Sequence, residues 1–580
     1  MFVRLAVCPG KLPADYGLDS IAMKKWVFWL IVILAFVVEM RVVIPSGSHY
    51  CQNGFCGIYF WGAHEHDGVW HLALINNALT VWPNRFPTFA GAVLSGYNTL
   101  LDSILYVINL LTKIPVVTLY FKVTPLLWFG AMILVWKKFA ARYSNNKWYL
   151  PAILFFVFFG NSFSYFFRLY HEGIIWGASG LLSMQSPQML SNIQYALTLP
   201  LIGVMLILFR KDRVGWKEML SLAILNFLLM GLKFYAGVIA VTMSGMYALT
   251  LIFQKQWKIG MIGGLLSVMG FVLATFVFYN PLKSLGGPSI LLFKPMATVH
   301  PIIEEAGLFF APSIANLRNN LYAAGGSWRL WLIEAATLGL FVFFNWGTRI
   351  IGVWAIKKKP FDVVLITGII TSLLMNILFI QRGEWWNTVQ FLYYATFLSN
   401  IYAAEILANL VNQGWKMKLV ALLIVCFTIP NALDTYRIFN SFPPHSYVSE
   451  AEIEALNELK SLPKGVVLAL PINPIPGHEQ QLPRPLYNMY DTAYVAAFSG
   501  QQTYLNDLVQ LRLTGINYEN RLAIIKTGEC EVLSEIKYIY AAGDQGQLFP
   551  WQKCQNNSIT EIYTNEQASI YRVMTDTPNQ

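Results

Sequence analysis

The sequence predicts a mainly α-helical, polytopic membrane domain of about eleven spans, followed by a small C-terminal α/β module, and three observations lead there. Of the 580 residues 56% are hydrophobic and only 12% charged, too apolar a balance for an ordinary soluble enzyme. Runs such as 26–44 and 116–136 have the roughly 20-residue length that crosses about 30 Å of hydrocarbon as a helix satisfying its own backbone hydrogen bonds. The basic residues gather in small clusters at the ends of alternate apolar runs. The formal net charge of +10 therefore reads as a topology signal, and no nucleic-acid partner is expected.

Lys24 and Lys25 put a tail of residues 1–25 in the cytoplasm, and the apolar run after them has no small-residue cleavage site, so it reads as a signal anchor. The run 116–136 ends in Lys137, Lys138, Arg142 and Lys147. Runs 149–165 and 190–209 return to Arg210, Lys211, Arg213 and Lys217, and runs 219–234 and 237–253 to Lys255 and Lys258. Runs 259–279 and 330–346 lead to Arg349 and the Lys357-Lys358-Lys359 triplet, and runs 363–380 and 389–410 to Lys416 and Lys418. The run 419–433 exits last. The expected layout is a cell-membrane domain over 26–434 with outer loops 46–112, 167–189 and 280–329, and an extracytoplasmic domain over 440–580. Glu39, Lys233, Glu334 and Glu405 stand out as ionisable residues inside or beside apolar runs.

Cys51 with Cys56 and Cys530 with Cys554 fall on the outer side, where an oxidising compartment allows bridges within each pair. In the C-terminal region Ser449 and Glu452 form a capping box before an amphipathic helix through Leu462. Short apolar strands are expected at 466–470, 494–498, 537–541 and 562–573, the last broken at Asn565-Glu566 as a hairpin. His478, Glu479 and Asp491 lie dispersed in Pro-rich loop and make no nucleophile, base and orienter set, so this region reads as accessory or substrate-guiding.

The chemistry-bearing stretch is 64–71, His-Glu-His-Asp-Gly-Val-Trp-His, which packs three imidazoles and two carboxylates just outside the first span. If a helix begins near Gly68, Asp67 and His71 share its face. That helix, to about Val81, reads as interfacial because Asn76 and Asn77 interrupt it and Pro83 and Pro87 end it. A second interfacial helix is expected over 98–111, with Asp102 at its start. Asp67 is alternatively a helix cap, and His64 and His66 with neighbouring carboxylates suit a divalent metal such as Mg or Mn, although no fixed ligand spacing is matched. No Walker motif, G-x-G-x-x-G or C-x-x-C pair points to a nucleotide or redox cofactor.

With these features in place, the chain resembles the GT-C class of membrane glycosyltransferases, which includes protein mannosyltransferases, lipid A aminoarabinose transferases and oligosaccharyltransferases. The likeness is one of layout: an acidic residue in the first outer loop, here Asp67, then two interfacial helices, and a soluble domain after the last span. The chain lacks the Asp-Glu doublet and the His-Pro-Pro-Leu segment of the mannosyltransferases. The class also places an acidic residue in the second outer loop, which Glu172 matches, although Arg168 and Glu172 at a spacing of four equally suit an ion pair.

The resemblance implies a polyprenyl-phosphate-sugar donor and a glycan, lipid or protein acceptor among membrane lipids, with attack at the anomeric carbon on the extracytoplasmic side. Within it Asp67 is the expected general base with Glu65 as its substitute, Glu172 orients the acceptor, and Arg382 meets the lipid phosphate unless it merely snorkels at the interface. His66, His71, Arg168, His300 and Glu304 join Arg382 in the substrate-binding set, and His64, His66 and His71 tune Asp67 or hold a metal. The alternative is a transporter or lipid flippase, which would place ionisable groups in mid-span and show two similar halves. No internal repeat is evident.

Overall fold

The computed structural model describes residues 25–82, 84–176, 186–211, 213–279, 291–306, 308–381, 385–440, 444–469, 482–489, 491–543, 554 and 558–574. Among the described residues seven helices are long and apolar enough to cross a membrane: Lys25–Val43, Val116–Tyr143, Phe234–Phe253, Trp257–Tyr279, Trp328–Ala355, Pro360–Leu378 and Trp415–Asn440. Shorter or less apolar helices at Tyr149–Phe159, Ile193–Phe209, Trp216–Leu232 and Gln390–Val411 account for the remaining apolar runs. The protein is membrane-embedded, and Gln390–Val411 is a deeply enclosed helix, buried from Phe391 to Ala408 almost without interruption. Glu405 on that helix is satisfied there by the Tyr143 hydroxyl at 2.7 Å and by Lys357.

Three sheets complete the fold among the described residues. The hairpin Ser48–Gln52 and Phe55–Phe60, just after the first span, continues into strand Ser446–Ser449 and then Arg484–Pro485. Its pairing of Gly57 with Ser449 joins the first outer loop to the C-terminal region in one four-stranded sheet. A second sheet of five strands runs in the order Ser558–Thr564, Ala568–Met574, Tyr538–Ala542, Val466–Ala469 and Gln502–Thr503. Leu291–Phe293 pairs with Phe379–Gln381 as a two-stranded ribbon. Cys51 is bonded to Cys56 across the hairpin, and Cys530 to Cys554.

The Ser449 capping box and the hairpin ending at Thr564 and beginning again at Ala568 follow the sequence expectation. Two expectations are corrected. Residues 494–498 form a helix, Tyr494–Ser499, because the run carries Ala496-Ala497 and closes on Gly500 in the left-handed conformation (φ +63°). The helix foreseen as interfacial is shorter, Asp67–Asn76, and every residue from Gly68 to Ile75 is buried. Asn76 and Asn77, which look like interruptions, donate to the carbonyls of Ala497 (2.6 Å) and Gly500 (3.0 Å). They seal this helix beneath the C-terminal region. The second helix, Leu100–Thr112, keeps an outward apolar face in Ile104, Val107, Leu110 and Leu111.

Candidate active site

Helix Asp67–Asn76 can lie this deep because Gly68 has no side chain: a Cβ there would sit 2.7 Å from the ring of buried Phe121. This close packing carries the first turn, and Asp67 with it, to the edge of a cavity of about 420 Å³. His66 and Asp67 form one wall, with Tyr97 and Asn98 beside them. The turn between Trp216–Leu232 and Phe234–Phe253 contributes Lys233, the ribbon contributes Gln381, the short helix Trp385–Thr388 contributes Trp386 and Asn387, and the start of the next helix contributes Gln390. The C-terminal region closes the cavity with Asp491 and with Gln510 and Arg512 of helix Leu508–Thr514. Tyr279 ends a π-helical turn, Thr275–Tyr279, a local irregularity that re-aims a side chain.

The Asp67 carboxylate accepts from His66 Nδ1 at 3.2 Å, and the other ring nitrogen, Nε2, reaches the carboxylate of fully buried Asp507 at 3.2 Å. Burial pushes the His66 imidazole down, but the charge and hydrogen bond of Asp507, joined by those of Asp67, outweigh it and hold the ring well above its usual range. A doubly bonded imidazolium results. Burial likewise pushes Asp67 up, yet the His66 bond and charge, with the charges of Lys233 and His71, bring it down to about 2. Burial lowers the Lys233 ammonium to about 8, against the pull of Asp67. The cavity thus holds a firmly ionised carboxylate facing an ammonium that is easily neutralised. Asp67 is not a helix cap: the N-cap position is His66, and no side-chain cap bond forms there.

Behind this wall His71 Nδ1 donates to both oxygens of buried Asp102, at 2.9 and 3.1 Å, and the ring stacks on Tyr120. His71 therefore supports the site from below. The remaining expected residues lie elsewhere. Glu65 bonds Ser446 and pairs with Arg484 at 3.3 Å, facing the four-stranded sheet instead of the cavity. Burial pushes its carboxyl up. His64 is buried, and burial lowers it to about 4. As a neutral ring it donates from Nε2 to the Leu190 carbonyl (2.9 Å) and accepts at Nδ1 from the Ser46 hydroxyl (2.8 Å). Neither nitrogen is left for a metal, and among the described residues no three His, Cys, Asp or Glu side chains converge for one.

Arg168 and Glu172 pair with each other at 2.5 Å on helix Tyr165–Glu172, and neither lines the cavity. His300 binds Glu334 (2.7 Å) and Glu304 binds Arg318 (2.6 Å), where helix Val299–Glu304 packs into a separate apolar cluster. Arg382 lies outside the described residues. Sequence reasoning missed Asp507, Arg512 and the amides at 381, 387 and 390 as site residues, because nothing local to them carries a signal. Lys233 did carry one. A lone lysine at the junction of two apolar runs, away from every basic cluster, departs from the charge pattern of the rest of the chain.

No family model matches the chain, and no curated protein matches it. Among solved structures it is similar to an oligosaccharyltransferase of Archaeoglobus fulgidus, at 11% identity over 90% of this chain and 70% of that one, with TM-score 0.48. It is also similar to the arabinofuranosyltransferase AftD from Mycobacteria, at 11% identity over 95% of this chain and 42% of that one, TM-score 0.49. ArnT from Cupriavidus metallidurans, solved bound to undecaprenyl phosphate, aligns over 95% of this chain and 98% of its own at 10% identity, TM-score 0.42. All of these TM-scores lie below 0.5, and what the cavity can do is set by its own residues.

Proposed function

We propose that this protein is a membrane glycosyltransferase that moves a sugar from a polyprenyl-phosphate donor to an acceptor hydroxyl, at the cavity between the membrane helices and the C-terminal region. The observation that carries this reading is that ionised Asp67 and Lys233 line one polar, partly aromatic cavity. Such a transfer needs a carboxylate for the incoming hydroxyl and a cation for the departing phosphate. The acceptor oxygen bonds to the anomeric carbon as the carbon–oxygen bond to phosphate breaks, and the phosphate leaves with the electron pair beside Lys233. The hydroxyl proton passes to Asp67. A carboxylate held near 2 takes a proton only from an oxygen already bonding to carbon and so turned acidic. Proton transfer is therefore late.

The layout that resembles the GT-C class and the depth of the cavity beside long apolar helices support a lipid-linked donor. The basic clusters support an N-terminus in the cytoplasm and a C-terminal region outside. The test is to incubate purified protein in lipid nanodiscs with a panel of polyprenyl-phosphate sugars and measure released polyprenyl phosphate. Turnover of at least one donor, lost in Asp67→Asn, is the expected result. If the native protein consumes none of them, the transferase reading fails and the transporter reading takes its place.

A further inference from the structure

A second, larger cavity shares no lining residue with the first. It is a groove of about 1160 Å³ between helices Lys25–Val43, Tyr149–Phe159, Gln390–Val411 and Trp415–Asn440, walled by side chains such as Leu30, Leu34, Phe155, Leu407, Leu422 and Val425. Its volume exceeds the roughly 300–1,000 Å³ that takes a drug-sized ligand. Polar groups are confined mainly to one end, where Lys147, Lys418 and Asn412 lie near the starts of the second and fourth of these helices and just past the end of the third. The opposite end, around Phe159, Leu433 and Tyr436, has no charged lining residue.

We propose that this groove is a binding site for an anionic glycerophospholipid, its phosphate between Lys147 and Lys418 and its acyl chains along the apolar walls. Charge complementarity selects the headgroup. Both lysines are exposed, neither is paired with a carboxylate among the described residues, and no Asp or Glu lines the groove. Depth selects the tail. The walls Val27–Val38 and Trp148–Phe159 each run about 16 Å at the 1.5 Å rise of a helix, half of the roughly 30 Å hydrocarbon core and so one leaflet. Trp26 and Trp415, 62% and 72% exposed, stand in the first turns of the first and last of these helices, and Trp148 lines the groove next to Lys147, where such rings mark the headgroup level. An anionic lipid gains there what a zwitterionic one loses to its own ammonium, on the order of fivefold per lysine and so roughly 25-fold for the pair.

The experiment is native mass spectrometry of the full chain, purified in detergent and offered equal amounts of phosphatidylglycerol and phosphatidylethanolamine. Retention of phosphatidylglycerol in marked excess is expected, with the excess lost in the Lys147→Ala, Lys418→Ala double variant and kept in Lys147→Arg, Lys418→Arg. The native protein alone already decides the matter if it retains both lipids equally, which overturns the proposal. Displacement of phosphatidylglycerol by an equal amount of polyprenyl phosphate overturns it too, as does undiminished preference in the alanine variant.

Discussion

Asp67 and Lys233 differ in how far each could be read from the chain alone. Asp67 stands in a run of eight residues with three histidines, which is conspicuous in any apolar sequence. What the run cannot convey is that one imidazole, His66, turns to the cavity while His64 and His71 turn inward to a carbonyl and a carboxylate. Asp67→Asn is expected to lower transfer by about 10² to 10⁴ without unfolding the protein, since no cap bond is lost. Donor turnover and the thermal midpoint, measured side by side, check this, and near-full activity would remove Asp67 from the chemistry. Lys233 gives a pH signature. Its pKa is lowered to about 8, so the free protein loses the ammonium as pH rises through that value. Transfer, measured as kcat/KM, should fall on the alkaline side of about pH 8 and hold steady below it through neutrality. In Lys233→Arg, whose charge persists in that range, the alkaline fall should vanish; a fall that survives belongs to another group.

At the level of elements, long apolar helices were legible because twenty-residue periodless runs have few alternatives, whereas short ones were not. The run 494–498 reads as a strand from its sequence but folds as a helix, whose end receives hydrogen bonds from Asn76 and Asn77. Helix Leu508–Thr514 is the element on which site closure turns. It begins at Asp507, which caps it through the Gln510 amide at 3.2 Å and holds His66 with the same carboxylate oxygen. Replacing His66 with Gln leaves a buried carboxylate short of its cationic partner, a loss of about 1–3 kcal/mol. The damage should be local. Limited proteolysis of His66→Gln is expected to open the segment around residues 507–514 well before the membrane helices yield, and unchanged cleavage would show that the His66 bridge does not hold this helix in place.

For the molecule as a whole, the charge pattern predicts that Lys358 and Asn517 lie on opposite sides of the membrane. A cysteine at Lys358 should resist an impermeant thiol reagent in intact cells, and one at Asn517 should react; the reverse pattern would invert the protein. Composition and charge spacing made the membrane domain readable, since they act over tens of residues. The cavity was only half readable, because its walls come from segments near residues 67, 97, 233, 385 and 510 that no local rule connects.

The four-stranded sheet sets a timetable. Strand Phe55–Phe60 leaves the ribosome early, yet its partner Ser446–Ser449 follows only about 390 residues later. At about 5–20 residues per second that is a wait of tens of seconds, through the insertion of nearly every helix. During that interval the hairpin offers an unpaired edge to any passing strand. The Cys51–Cys56 bridge, closing only five residues apart, can form at once and hold the hairpin in register while it waits. A nascent chain halted just before the Ser446 strand would carry Asp67 beside a membrane bundle, but with no roof over it. The transfer proposed for Asp67 thereby waits on the C-terminal region that covers it.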